Sequence, residues 1–454
     1  MKTAAIVCVM GLGVALGGCG GNTGAESKSG VGDETGNSDS NSNSNSNSAE
    51  GAETNGDDDP GDGDPGDGDG DPGDGDGDPG EGDAEGGSNQ KFDTLTVPDA
   101  AFNCGSGGNE DPEFSFLWAA NSQQGTISKI DTKTVTEIGR YIVRPDSNGS
   151  PSRTSVSLSG HVAVANRDGG VTKIYADEQF CEESNGVPGI QTSNSNQFLP
   201  WGTEECIAWY KPMQYQSQRP VAWGPGEFNE GSCQWENEEL WTAATNGGTI
   251  DVYVLDGDDG STKEMITLQG IAPEYFGIYG AAVDGNGDFW GSQLGWGKLV
   301  RVNRSDMTYD IWQSPQNGSW YGMTVDSEGY VWLCSDHVGR FDPATETWQT
   351  AAVGGYTGCM ADAAEDGLLW MSDGQGVIGV NRDTLQVEKQ WNAAGSYGVS
   401  IDFEGYVWTV AYGSNVSKID PVTGQFWTYN GLVGAYTYSD MTGYALSNVG
   451  SPSG

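Results

Sequence analysis

The chain carries 20 Lys and Arg against 65 Asp and Glu, a formal net charge of −45. Against that background two arginines, Arg153 and Arg219, stand at matching points of consecutive β units. The matching points elsewhere in the chain hold Tyr279, Tyr321, Tyr397 and Asp440. A guanidinium presents a rigid fork of donors to an anion or a pair of hydroxyls, and a tyrosine offers a stacking face with a polar tip. Brought together, these six residues would hold a small molecule, glycan or peptide that is anionic or rich in hydroxyls. The competing expectation is that the arginines pair with nearby carboxylates while the tyrosines only pack.

Catalytic chemistry has fewer candidates. The two histidines are His161, in Gly160-His161-Val162, and His337, in Asp336-His337-Val338. An imidazole titrates near neutrality and can serve as a base or a metal ligand, but a hydrogen-bonded structural role is the expectation for both. The sequence has no Gly-x-Ser-x-Gly, no phosphate loop and no His-rich cluster. Carboxylates are too frequent for any pair to stand out, so no catalytic residue is selected.

The elements that must position these residues come from a repeat. Tyr279-Gly-Ala-Ala-Val-Asp-Gly-Asn-Gly-Asp-Phe-Trp290, Tyr321-Gly-Met-Thr-Val-Asp-Ser-Glu-Gly-Tyr-Val-Trp332 and Tyr397-Gly-Val-Ser-Ile-Asp-Phe-Glu-Gly-Tyr-Val-Trp408 each read as strand, turn, strand. Alternating apolar positions mark half-buried strands, and Asp-x-x-Gly supplies the turn. A second hairpin follows each, as in Val338-Gly-Arg-Phe-Asp-Pro343 and Val416-Ser-Lys-Ile-Asp-Pro421, which makes four strands per unit. Trp290, Trp332, Trp370 and Trp408 recur about every 40 residues, the period of a propeller blade. With looser copies upstream the count reaches seven.

The fold class is therefore all-β, a seven-bladed β-propeller. Its first unit, beginning at Leu117-Trp118, lacks an innermost strand, and residues 439–446 supply a spare one, so the two ends are expected to close one blade. The repeat tryptophans are expected between blades, not as a ligand platform.

The unit with Asp-x-x-Gly-x-h-Trp (h, apolar) followed by Gly-Arg-h-Asp-Pro resembles virginiamycin B lyase (streptogramin lyase) propellers and, more loosely, NHL-repeat propellers. The resemblance covers about residues 117–446. It implies a seven-bladed ring and, were the activity shared, a lyase using Mg²⁺ with histidine and glutamate. His161 and His337 both fall outside the innermost strands, so no catalytic residue carries over, and binding without catalysis is the expectation. A metal-dependent lyase or hydrolase and an envelope-complex scaffold are the alternatives. The segment from Glu183 to Ser193 only weakly resembles a calcium loop, with Val187 and Pro188 where a ligand and a glycine would stand. No cofactor is assigned; Mg²⁺ or Ca²⁺ are the candidates.

The N-terminus reads as an address. Lys2, an apolar run over residues 4–16 and Leu16-Gly17-Gly18-Cys19 have the order of a lipoprotein signal spanning residues 1–18, with Cys19 lipidated. The apolar run is shorter than the ~20 residues that cross a bilayer as a helix. Residues 19–90 form an acidic Gly/Ser/Asn/Asp/Pro tether, with about twenty carboxylates against Lys28 and too little apolar surface to fold. The propeller is expected over residues 91–454, with an insertion near 176–218. The expected location is the cell envelope, at the outer membrane or cell surface, with the protein a monomer held to the membrane by lipid. The negative charge argues against nucleic acid as a partner. Cys104, Cys181, Cys206, Cys233, Cys334 and Cys359 remain in the exported chain, an even number that favours disulfides. Cys181 with Cys206 is the first expected pair because they bracket the insertion.

Overall fold

The computed structural model describes residues 116–229, 232, 234–315, 319–364, 367–438 and 440–449. The expected signal, Cys19, the tether, Cys104 and Cys233 lie outside them. Seven antiparallel sheets form a ring, with neighbouring innermost strands in contact. Blade 1 comprises Phe116–Asn121, Thr126–Asp131 and Thr136–Ile142. The other six have four strands each. Their innermost strands are Pro151–Val156, Ser217–Trp223, Gly280–Val283, Gly322–Val325, Cys359–Ala361 and Gly398–Ile401. The end of the ring at which these strands begin is called the upper face, and the end at which they finish is the lower face.

The repeat has a local cause. In blades 4, 5 and 7 the turn aspartate faces two ways. Asp284, Asp326 and Asp402 each accept the indole N–H of Trp290, Trp332 and Trp408 on Oδ2, at 2.8, 2.8 and 2.7 Å. On Oδ1 they accept backbone N–H groups of their own turn, Asn286 and Asp288, Glu328 and Tyr330, or Glu404 and Tyr406. The Asp-to-Trp spacing of six residues thus lets one carboxylate fold the hairpin and anchor the ring that fills the space between blades. Trp290 packs on Trp312 of its own blade and on Phe341 of the next, 5.6 and 6.1 Å away. Burying each such ring stabilises by roughly 2–3 kcal/mol.

A second device links blades. Lysines reach into the following blade: from third strands, Lys129 bonds the carbonyl of Ala176, Lys173 that of Gly257 and Lys418 that of Thr132, and from the outermost strand of blade 6, Lys389 bonds that of Pro421. The Lys418 bond joins blade 7 to blade 1. Cys334–Cys359 ties the second strand of blade 5 to the innermost strand of blade 6. Cys181–Cys206 is formed as the sequence implied.

The ring closes on its own C-terminus, but less regularly than the sequence implied. Tyr436 N–H bonds the Ala120 carbonyl at 3.1 Å, Ala435 pairs with Asn121, and Trp118 N–H bonds the Met441 carbonyl at 2.9 Å. The expected strand over residues 439–446 does not continue. Asp440 Oδ1 accepts the Gly443 N–H at 2.8 Å, Gly443 takes φ +89°, and the chain turns into a short helix, Tyr444–Val449. That helix occupies the lower end of the channel. Tyr444 Oη bonds Asp362 and the Ala363 N–H, and a Cβ on Gly285 would meet the Val449 carbonyl at 2.7 Å, so only glycine fits there. The inserted segment of blade 2 runs over residues 175–206, shorter than the expected 176–218, because Ile207–Lys211 is the outer strand of that blade and Ser217 already begins blade 3.

Candidate functional site

The upper mouth of the channel is filled by tyrosine. Tyr279, Tyr321 and Tyr397 precede the innermost strands of blades 4, 5 and 7. Tyr436 and Tyr438 come from the closing segment, where a spacing of two puts both rings on one side of an extended chain. Their hydroxyls converge on Tyr436, whose Oη lies 2.8 Å from that of Tyr279, 2.6 Å from that of Tyr321 and 3.1 Å from that of Tyr438. Tyr397 donates in turn to Tyr321. Burial pushes Tyr279, Tyr321, Tyr397 and Tyr438 well above the ordinary phenol range. Burial also pushes Tyr436 upward, but the bonds from the surrounding phenols outweigh it and lower the group to about 8.

Three guanidiniums surround this cluster. Arg153 is buried, lies 3.3 Å from the centre of the Tyr438 ring and donates to the carbonyls of Tyr438, Tyr279 and Tyr321, stitching three blades at the channel axis. Arg167 sits 4.8 Å from the Tyr436 ring and bonds Ser150. Arg219 lies 4.2 Å from the ring of Phe276 and 5.1 Å from that of Tyr279, and its Nε is buried with no hydrogen-bond partner. Among the described residues none of the three forms an ion pair. The cluster therefore departs from the expected pairing with carboxylates.

Around the tyrosines the upper face carries exposed rings. Tyr356 and Tyr412 touch Tyr397, at 5.7 and 5.9 Å, and are 53% and 63% exposed. Tyr275, 77% exposed, packs on Phe276, and Trp296 stands beside it because Glu274 binds the N–H groups of Gly295 and Trp296. Large rings left in water beside unpaired cations make a surface suited to ligands that stack and carry negative charge.

Five of the six residues expected at the mouth are thus together: Arg153, Arg219, Tyr279, Tyr321 and Tyr397. Asp440 is not with them. It lies deeper, against a cavity of about 30 Å³ also lined by Met323, Met360 and Leu446, where burial raises its carboxyl to about 6 although turn N–H groups bond it. Sequence reasoning missed Tyr436, Tyr438 and Arg167. The alternating tyrosines just ahead of the spare strand were the legible signal for the first two.

The histidines do not assemble a lyase-type centre. His161 is buried in blade 2 with Nδ1 accepting the Ala176 N–H, and His337 pairs with Asp336 at 2.9 Å at the start of a third strand. Among the described residues no group of three or more His, Cys, Asp or Glu is arranged to hold a metal. These residues do not fit the magnesium, histidine and glutamate set, and no step is derived through a metal. In the insertion, Glu205 accepts the N–H groups of Ser184, Asn185 and Gln191, so this loop is organised by its own backbone.

No protein-family model and no curated protein matches the chain. Among solved structures it is similar to a functionally unknown protein from Desulfotomaculum acetoxidans DSM 771, at 10% identity and TM-score 0.50, over 71% of this chain and 98% of that one. It is also similar to streptogramin B lyase, at 14% identity and TM-score 0.44, over 62% of this chain and 83% of that one. Virginiamycin B lyase from Staphylococcus aureus gives 14% identity and TM-score 0.42 over the same shares. At these identities the likeness is one of fold alone, and the seven blades are those of the chain's own sheets.

Proposed function

We propose that the upper mouth binds, without catalysis, a small ligand or glycan that joins an anionic group to a flat or hydroxylated ring. The observation that carries this is the set of three guanidiniums without ion-pair partners among the described residues, in a chain of net charge −45. Carboxylates are abundant enough to neutralise any arginine, and leaving a partly buried donor without a bond costs about 1–3 kcal/mol. Arg219 is the group free to meet an anion, since Arg153 is committed to backbone carbonyls. The exposed rings of Tyr356 and Tyr412 supply the stacking surface. On the cell this propeller is held at the envelope by lipid on Cys19, at the end of the acidic tether.

The test is an array of carboxylated and sulfated glycans and acidic metabolites probed with the full chain and with Arg219→Ala and Tyr412→Ala. Ligands bound by the parent should be lost from both variants. Binding that survives both substitutions refutes the site. Cys19→Ser should move the protein from the membrane to the soluble fraction, and continued sedimentation with membranes refutes the anchor.

A further inference from the structure

The lower face holds a second cavity, of about 500 Å³, between blades 2 and 3. It lies where those blades break the repeat. The insertion of blade 2 contributes Tyr175 and Phe180, the latter from a single 3₁₀ turn, Glu178–Phe180. An extra hairpin of blade 3, Glu227–Asn229 with Gln234–Glu236, contributes Phe228 and Trp235, whose rings lie 5.4 Å apart. The floor is polar and consists of His161, Lys173 and Glu238. Lys173 belongs to the lysine links that join four of the adjacent blade pairs, so the scaffold explains it. It does not explain the other residues.

His161 is held by Tyr175 and Phe180, with ring centres 5.0 and 4.9 Å away. Its Nδ1 accepts the Ala176 N–H at 3.2 Å, and burial, followed by the charge of Lys173, lowers the imidazole to about 3. The ring is therefore neutral, with its proton on Nε2, a fixed donor. Glu238 takes the Ser159 N–H on Oε1 at 3.0 Å, and burial raises its carboxyl. An anion here would face Glu238 and Asp258, and a cation would face Lys173. What suits the cavity is an uncharged molecule with donors and acceptors along its edge and an apolar flat face for the rings. The volume falls within the ~300–1,000 Å³ of small-molecule sites.

We infer that this lower-face cavity is a carbohydrate site, separate from the upper mouth, in which Phe180, Phe228 and Trp235 stack a neutral sugar ring whose hydroxyls meet His161 and Glu238. It goes beyond the upper-mouth reading and stands or falls independently of it.

The experiment is saturation-transfer NMR on the full chain in a sugar-free detergent, with methyl glycosides of glucose, galactose, mannose and N-acetylglucosamine as probes and indole as the aromatic comparison. At least one glycoside should bind. Its affinity should fall at least about tenfold in Trp235→Ala and, from the other inserted element, in Phe180→Ala, and stay within about twofold in Arg219→Ala. Both walls are surface elements outside the blades, so unchanged thermal unfolding is the check on fold. The inference is overturned if no glycoside binds, if only indole binds, or if both wall variants bind as the parent does.

Discussion

Replacing Asp402 by alanine tests whether the turn aspartate, rather than hydrophobic burial alone, writes the repeat. The residue is 1% exposed, and its carboxylate supports three donors: the Trp408 indole at 2.7 Å, and the Glu404 and Tyr406 amides at 3.0 and 2.9 Å. Trp408 is fully buried, so its N–H would lose its partner with no route to water, at about 1–3 kcal/mol. The two amides belong to a half-buried turn and can rehydrate, which limits their loss to about 1 kcal/mol each. Part of this returns, because burial raises the Asp402 carboxyl and its removal relieves that cost. Lys418 keeps its partner Glu404 at 2.9 Å. The net expectation is a loss of about 3 kcal/mol, read as a lower urea midpoint at constant slope. Blade 6 provides the internal comparison. There, among the described residues, Asp362 accepts the Ala364 N–H and the Tyr444 hydroxyl, and the indole of Trp370 has no partner. Asp362→Ala should therefore cost about 1 kcal/mol. A loss under about 1 kcal/mol for Asp402→Ala, or equal losses at the two sites, would refute the argument.

Two further predictions concern protons. One phenol of the 18 tyrosines should ionise near pH 8 in a near-ultraviolet absorbance titration, and that step should vanish in Tyr436→Phe. Because the folded value lies below the ordinary one near 10, the unfolded chain holds more protons between pH 8 and 10, so this group adds stability as pH rises through that window. Asp440 works in the opposite sense. Its folded value of about 6 exceeds the ordinary 3.8, so its contribution is complete below pH 4 and is lost as pH rises towards 6. The loss is at most about 3 kcal/mol, and Asp440→Asn should flatten that part of the stability profile. An unchanged slope would show that the turn N–H groups, not burial, control the carboxyl.

Much of the fold could be read because each blade is specified by contacts within itself. Asp, Gly and Trp at fixed spacing dictate a hairpin whatever the neighbouring blades contain, so Trp290, Trp332 and Trp408 reveal sheets directly. The ring closure was legible for the same reason, through the match between residues 439–446 and an innermost strand. Its detail was not. Whether Asp440 starts a strand or caps a turn depends on Gly443 taking positive φ and on what fills the channel below, and neither is a local property. The fate of the arginines was also hidden. Arg153 and Arg219 occupy matching positions, yet Arg153 is bound by carbonyls of three blades while the Arg219 Nε has no partner among the described residues.

The placement of both sites follows from symmetry. A ring of like blades presents similar turns around its axis, and a small, asymmetric ligand is best recognised where that sameness is broken. On the upper face the break is the closing segment, which brings Tyr436 and Tyr438 to an axis that blades 2 and 3 approach with Arg153 and Arg219 and blades 4, 5 and 7 with a single tyrosine each. On the lower face the breaks are the disulfide-bounded insertion of blade 2 and the hairpin of blade 3, which meet over His161. The Asp–Trp hairpins and lysine links are used up in holding the ring. The irregular segments are left with side chains that the scaffold does not need. Phe228 and Trp235 of the extra hairpin are of this kind, and beside the irregular segments the blades add Arg219, whose Nε has no partner among the described residues, and His161, whose Nδ1 accepts the Ala176 N–H. A variant of a repeat residue should therefore change stability with little effect on a bound ligand, whereas a variant of an irregular residue should do the reverse. Loss of ligand binding in Asp402→Ala at temperatures where it remains folded would contradict that division.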